Sequence, residues 1–476
     1  MSSEIETAIE FIQSFVPATM KRSRIPSVSL SILRGDEIEY ATSLGSRDVE
    51  RSLPATTDTL YGIGSCTKSF VAMGIMQLAE KGKLSLDDPV SKYVPLKIGL
   101  PSKPITIHHL LTHSSGIPNL GTSTIALHRG LGLETGIPWG GIDDFYRHIN
   151  GAGGEIAFEP AQHFFYLNAG YRMLGHIIQE VSGKTFDAYI TENILSPLDM
   201  RRTTLSKQRF LKDSNRITPY VRKPDGSLMP TDFPYPEVGE NPDFAFIAAA
   251  GGVISSVHEL MNYLSVNINQ GIFEGKRLLS QESAKKMQTI HIERPPDPKL
   301  GVPFARHGYG YGWDVTEDFL GHKMVSHGGS ILVSTAHLAF IPDQKIGVAM
   351  ASNIAGFPYA KLAQGVFAAL MGKSPRQIVP SLYIQERLDA LTGSYETYRG
   401  LSMAKVVNRG GLLYFEQTDL ESGSASVPLI PESDRLESNR FYIWSEGARQ
   451  PVEFVVHSPD KIDLYVERNC YHKVQA

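Results

Sequence analysis

Two distant stretches of this chain carry strand signatures, and helical sequence fills the space between them. Residues 27–45, "SVSLSILRGDEIEYATSLG", alternate in strand fashion about a Gly35-Asp36 turn, the mark of a hairpin. Strand patterns return in residues 309–352 as "YGYGWDV", "HKMVSHG", "STAHLAFI" and "KIGVAMAS". Between them lie helical patterns such as "YRMLGHIIQEVSG", ending on Gly183, and "SVHELMNYLSVNINQG", ending on Gly271. The economical solution is one sheet built from both ends of this region, with a helical subdomain inserted at about residues 85–305. The expected class is α+β, with an antiparallel sheet and flanking helices.

Three helices frame that expectation. Residues 4–16 place Ile5, Ile9, Ile12 and Val16 at helical spacing. Residues 358–371, "PYAKLAQGVFAALM", read as a closing helix. The stretch "FVAMGIMQLAEKGKLSL" is apolar nearly all round until Glu80-Lys81, with Gly82 as its stop. A helix this apolar belongs in a core.

The character changes after "GKSPRQIVPS". The tail holds short strands such as "GLLYFEQT", "NRFYIWSE", "PVEFVVHS" and "KIDLYVERN" at roughly 8–12-residue spacing, the pattern of a small β-barrel or sandwich. The expected organisation is a first domain over 1–375, a linker over 376–384 and an antiparallel β-barrel over 385–476. The chain's 476 residues, 42% hydrophobic and 20% charged, suit a globular multidomain protein.

A net charge of -4 with mixed signs asks for neither nucleic acid nor an anionic membrane. The two cysteines, Cys66 and Cys470, exclude a disulfide framework and suit a reducing compartment. The N-terminal residues lack a basic, then apolar, signal pattern, and no run of about 18 apolar residues occurs. A cytoplasmic protein without a membrane span is the expectation.

Nucleophile-elbow, phosphate-loop and zincin motifs are missing: His258-Glu259 is followed by Asn262 where a second histidine would stand. His108, His109 and His113 could be read as zinc ligands, but the following "SSGIP" loop favours a helix-end role, and no metal or other cofactor is expected. Ser-x-x-Lys occurs four times, at Ser65/Lys68, Ser283/Lys286, Ser402/Lys405 and Ser458/Lys461. The last three fall on polar helix faces or strand edges.

Ser65 follows "GIG" and opens the apolar helix, so Lys68 lies one turn on, above its hydroxyl. Burial and the helix N-terminus both lower the lysine's pKa and free its amine as a base. The plain alternative is a capping serine and a snorkelling lysine. Tyr166-Leu167-Asn168 is the only Tyr-x-Asn among 20 tyrosines. A tyrosine beside a cationic lysine sheds its proton more easily and can relay it. "SHGGS" brings His327, Gly329 and Ser330, where glycines beside a strand let a substrate backbone approach. A buried tyrosine and a simple turn are the plain alternatives for these two.

Taken in order, these stretches resemble the penicillin-recognising serine hydrolases, which include class C β-lactamases, DD-peptidases, D-aminopeptidases, family VIII esterases and CubicO-type peptidases. "TLYGIGSCTKSFVAMGIMQLAEKGKLSLDDPVSKYVP", "ITIHHLLTHSSGIPN" and "YLNAGYRMLGHIIQEVSG" carry the resemblance over about residues 20–370. It implies a β-lactamase-like fold, Ser65 as acylated nucleophile, Lys68 as general base and Tyr166 as proton relay. It further implies Asn168, His327, Gly329 and Ser330 in substrate binding, with an oxyanion hole at the N–H groups of Ser65 and Ser330. The third motif departs from the Lys-Thr-Gly usual in β-lactamases: His327 carries no fixed charge for a substrate carboxylate.

The resemblance therefore points to an acyl-enzyme peptidase or amidase for short peptides, including those with D-amino acids. A carboxylesterase with weak β-lactamase action and a non-catalytic ligand binder are the rival readings. The tail, with Gly393-Ser394-Tyr395 and "YVERNCYHKV", is similar to the lipocalin-like C-terminal domain of archaeal compartment-forming CubicO-type peptidases. That similarity implies a homo-oligomer built through the barrel.

Overall fold

The computed structural model describes residues 3–100, 103–156, 158–234, 242–295, 305–419, 423–433 and 436–474. It divides into two compact units, residues 6–363, and residues 364–476 together with 1–5. In the larger unit the strands His322–Ser330, Thr335–Ile341 and Ile346–Ser352 lead directly to Ser27–Arg34 and Glu37–Asp48 in one nine-stranded sheet. The hairpin docks antiparallel on the last of the late strands, with Val28 opposite Ser352 and Ile32 opposite Val348. Both ends of the region thus share one sheet, and helices occupy the interval.

One expectation fails in detail. Ser27–Arg34 alternates serine with aliphatics, yet both of its faces are buried. Two of its serines are buried with partners: Ser29 Oγ lies 2.8 Å and Ser27 Oγ 3.4 Å from the Tyr61 hydroxyl. The "YGYGWDV" run is also broken. His307–Tyr309 and Asp314–Phe319 are separate strands, and Gly312 between them takes a positive φ of 74°.

The apolar helix runs Thr67–Glu80 and is buried from Thr67 through Leu78. Gly82, at φ 64°, closes it: its N–H reaches Ala79 O at 2.9 Å, and Lys83 N–H reaches Leu78 O at 3.0 Å. Phe70 stacks on Tyr263 with centroids 3.6 Å apart. Truncating such a core ring to alanine costs about 3–5 kcal/mol. A second helix, Asn168–Ser182, crosses close by. A side chain at Gly74 would stand 3.2 Å from Ile178. The first helix runs past its expected end at 16, through Pro17, to Ser23. Arg24, at φ 48°, then terminates it, with Ile25 N–H on Met20 O at 3.0 Å.

In the smaller unit, Gly393–Glu396 through Asn469–Lys473 form a closed antiparallel barrel of eight strands. Its interior is apolar, with Tyr395, Leu413, Leu429, Phe441 and Leu464 at its centre. The segment read as a linker is ordered as two helices, Pro375–Ile378 and Pro380–Leu391. Each begins with a proline, whose fixed φ suits a first helical turn and whose missing N–H is not needed there. No helix among the described residues is long and apolar enough to cross a membrane.

Candidate active site

Ser65 sits in a short 3-10 turn, Gly64–Cys66, that feeds the Thr67–Glu80 helix. The helix N-cap is Cys66 and no side chain caps it, so the Ser65 hydroxyl is not spent on capping. Gly64, at φ 53°, lies against the end of strand His322–Ser330. A β-carbon on Gly64 would come within 2.5 Å of Ser330 N. One on Gly329 would come within 1.9 Å of Ile63 O and 2.7 Å of Ser65 N. Two glycines therefore let the backbones of Ser65 and Ser330 approach each other as no larger residue could. Ser65 and Ser330 line one cavity together with Asn168, Arg172, Ala250 and Gly251.

Lys68 is fully buried behind Ser65. Its Nζ lies 3.0 Å from Ser65 Oγ and donates to Asn168 Oδ1 at 2.7 Å and Ala250 O at 2.8 Å. The rings of Tyr166 and Tyr171 stand 4.8 and 5.5 Å from it. Burial, reinforced by the Arg172 guanidinium, holds the amine well below the usual lysine range. The carbonyl oxygens and ring faces nevertheless await a positive charge whenever the amine takes a proton.

Tyr166 is half-buried, and the Ser65 hydroxyl is near enough to its phenol to affect its titration. Here the sequence expectation is reversed. Burial raises the phenol above its ordinary range, and the nearby Ser65 hydroxyl offsets this only in part. The resting proton is on tyrosine, with the lysine tuned to accept one. Asn168 opens its helix and presents Oδ1 to Lys68.

His327 does not line the cavity. It is 3% exposed and tied at both ring nitrogens. Nδ1 lies 2.6 Å from Gly328 O, which only accepts, so Nδ1 carries the proton. Nε2 then accepts from the Tyr309 hydroxyl at 2.9 Å. Burial pulls the imidazole down to about 4, so it is neutral near pH 7. Cys66, next to Ser65, is buried with Sγ 3.1 Å from His327 O. Burial pushes its thiol up to about 12, which removes it as a competing nucleophile.

The remaining histidines scatter. His109 closes a capping box with Thr106 on the helix Ile107–Leu111, and His108 Nδ1 lies 2.9 Å from the Tyr311 hydroxyl. His113, at φ 58°, turns its ring among Tyr166, Tyr171 and Tyr309, with centroids 4.2, 5.0 and 4.8 Å away. Its Nδ1 accepts from Leu167 N–H at 3.0 Å, which fixes the segment carrying Tyr166 and Asn168.

Sequence reasoning missed several members of this neighbourhood. Ala250 contributes a backbone carbonyl, which no side-chain pattern announces. Tyr309 lies inside a strand-like run. Asp314 and Arg294 form a buried ion pair whose field reaches Tyr166 and His327. Only the strand pairing reveals that they are neighbours.

A family model described as "Beta-lactamase" matches residues 12–370, and one described as "Pab87 octamerisation domain" matches residues 375–472. Protein flp of Staphylococcus aureus (strain MW2) is 28% identical over 330 residues, 67% of this chain. The chain spans 58% of that protein's length. The octameric penicillin-binding protein homologue from Pyrococcus abyssi is 36% identical, with a TM-score of 0.88 over 98% of this chain and 100% of its own. A penicillin binding protein from Bacillus halodurans shares the fold at a TM-score of 0.58 and 24% identity, over 75% of this chain and 99% of its own.

Proposed function

Because the chain belongs to the beta-lactamase family of serine hydrolase folds, we propose that it cleaves amides of short peptides, D-amino-acid peptides included, through an acyl-enzyme on Ser65. The observation that carries this reading is the Lys68 amine, wholly buried and depressed in pKa, 3.0 Å from Ser65 Oγ.

Lys68 Nζ, as the free amine, takes the Ser65 proton as Oγ bonds to the substrate carbonyl carbon. The developing oxyanion is met by the N–H groups of Ser65 and Ser330. The new ammonium is held by Asn168 Oδ1 and Ala250 O. Tyr166, still protonated, gives its proton to the departing nitrogen and recovers one from Lys68. Water then follows the reverse relay to release the acid and regenerate Ser65. Asn168 also faces the cavity and suits the substrate's amide.

His327 acts at one remove. Uncharged and held by Gly328 and Tyr309, it supplies no cation for a β-lactam carboxylate. That favours peptides, and esters as a second substrate class, over antibiotics. We assign catalysis to residues 1–375 and, by analogy with the octameric homologue, homo-oligomer assembly to the barrel of 385–476, joined through 376–384.

A fluorophosphonate probe is expected to modify Ser65 and to leave Ser65→Ala unlabelled. Labelling of that variant would overturn the assignment. A panel of L- and D-amino-acid amides, short peptides, nitrophenyl esters and a chromogenic cephalosporin then ranks substrates, with amides expected first and the cephalosporin last.

A further inference from the structure

The barrel carries a cluster with no part in this chemistry. Strands Ala448–Ser458, Lys461–Val466 and Asn469–Lys473 are neighbours, and their register sets Asp463 opposite His472 and Tyr465 opposite Cys470. Ile462, Leu464 and Tyr471 are buried in the barrel. Strand alternation therefore turns Asp463, Cys470 and His472 outward on one face.

One Asp463 oxygen lies 2.7 Å from His472 Nδ1, and the other 2.9 Å from His457 Nε2. Asp463, Cys470 and His472 each present one donor atom, and these three atoms lie within 4.8 Å of one another. We propose that these three residues bind a divalent transition-metal ion of the zinc type on the outer wall of the barrel, with His457 orienting the carboxylate.

The donor set fits. Thiolate, imidazole and carboxylate together select zinc and its neighbours over calcium or magnesium, which take oxygen ligands. Bonds of about 2.0–2.3 Å in a tetrahedral arrangement need donor atoms roughly 3–4 Å apart. Side-chain rotation on a fixed sheet closes the present spacing to that. The fourth position faces solvent, since the His472 side chain is 58% exposed, and water completes the tetrahedron. A histidine bonded to the second oxygen of a ligating carboxylate is the outer-shell support such sites use. An ordinary His-Asp-His ion-pair cluster explains the two imidazole contacts but gives no reason for a thiol at the third corner. On binding, the Cys470 proton passes to solvent as the sulfur–metal bond forms, and no change of oxidation state occurs.

The test is a titration of the tag-free, full-length, reduced protein with cobalt(II), read by absorbance. One cobalt per chain is expected, with a thiolate-to-cobalt charge-transfer band. Cys66 is 0% exposed, so the band reports Cys470. Cys470→Ser should abolish the band, and His457→Ala should weaken binding about tenfold while keeping it. Circular dichroism checks that both variants stay folded. Stoichiometric cobalt without a thiolate band, no binding, or undiminished affinity in Cys470→Ser would each overturn the proposal.

Discussion

The two units each gather ionisable groups into a small cluster, and they do so in opposite media. Around Lys68 water is gone: the amine is fully buried, with Ser65, Asn168 and Ala250 as its oxygen neighbours. Around Asp463 water remains, with the His457 and His472 side chains 43% and 58% exposed. In the first case desolvation retunes protonation, lowering Lys68 and raising Tyr166. In the second, the donors stay reachable by a solute from solvent. Burial retunes the protons of the first cluster into a relay, and exposure leaves the donors of the second open to an ion.

The largest way to break that comparison is to remove the buried amine. Lys68→Met keeps the packing and deletes the base. Hydrolysis of an amide substrate should fall by roughly 10⁴-fold or more, since nucleophile and base act as a unit. A loss below tenfold would mean that another group activates Ser65. Tyr166→Phe keeps the ring against Lys68 and removes the proton. A loss of about 10²–10⁴ in kcat is expected, greater for amides than for activated esters, whose leaving groups need no protonation. Equal losses on both substrates would refute the leaving-group role.

Acid should act on the dry unit next. His327 and His337 are buried and pulled from 6.5 to about 4. Between those values the unfolded chain takes protons that the folded one refuses, so stability is lost as pH falls from about 6.5 to about 4. Each group contributes on the order of 3 kcal/mol across that window. Urea midpoints across the same range check this, and a flat profile would contradict it. The smallest expected effect is on the wet cluster: His472→Ala should leave turnover within about twofold, because its surface position lies outside the relay.

How much of this was legible in the sequence follows the same divide. Local spacing carries Ser65 and Lys68, because a helix sets residues three apart on one face. Hydrophobic pattern carries the two-ended sheet and the barrel strands. The segment read as a linker shows where pattern is silent: Pro375 and Pro380 punctuate a chain in either of two ways, and here each starts a helix. Tyr309, Asp314, Arg294 and the Ala250 carbonyl were invisible, since they reach the site only through long-range pairing. The protonation of Tyr166 was misjudged, and that of His327 was left open, because burial, the dominant cause, has no local signature. Asp463, Cys470 and His472 escaped notice for a simpler reason: strand register, unlike a helical repeat, does not write contacts into sequence spacing.

The central claim is that a buried Lys68, its amine held well below the usual lysine range, activates Ser65. The rate of fluorophosphonate modification of Ser65 as a function of pH tests it most directly. The account predicts a rate that rises with pH through a single group whose pKa lies well below the 10.5 of an ordinary lysine, and a limb that vanishes in Lys68→Met. A limb at the ordinary lysine value, or one that survives in Lys68→Met, would contradict it.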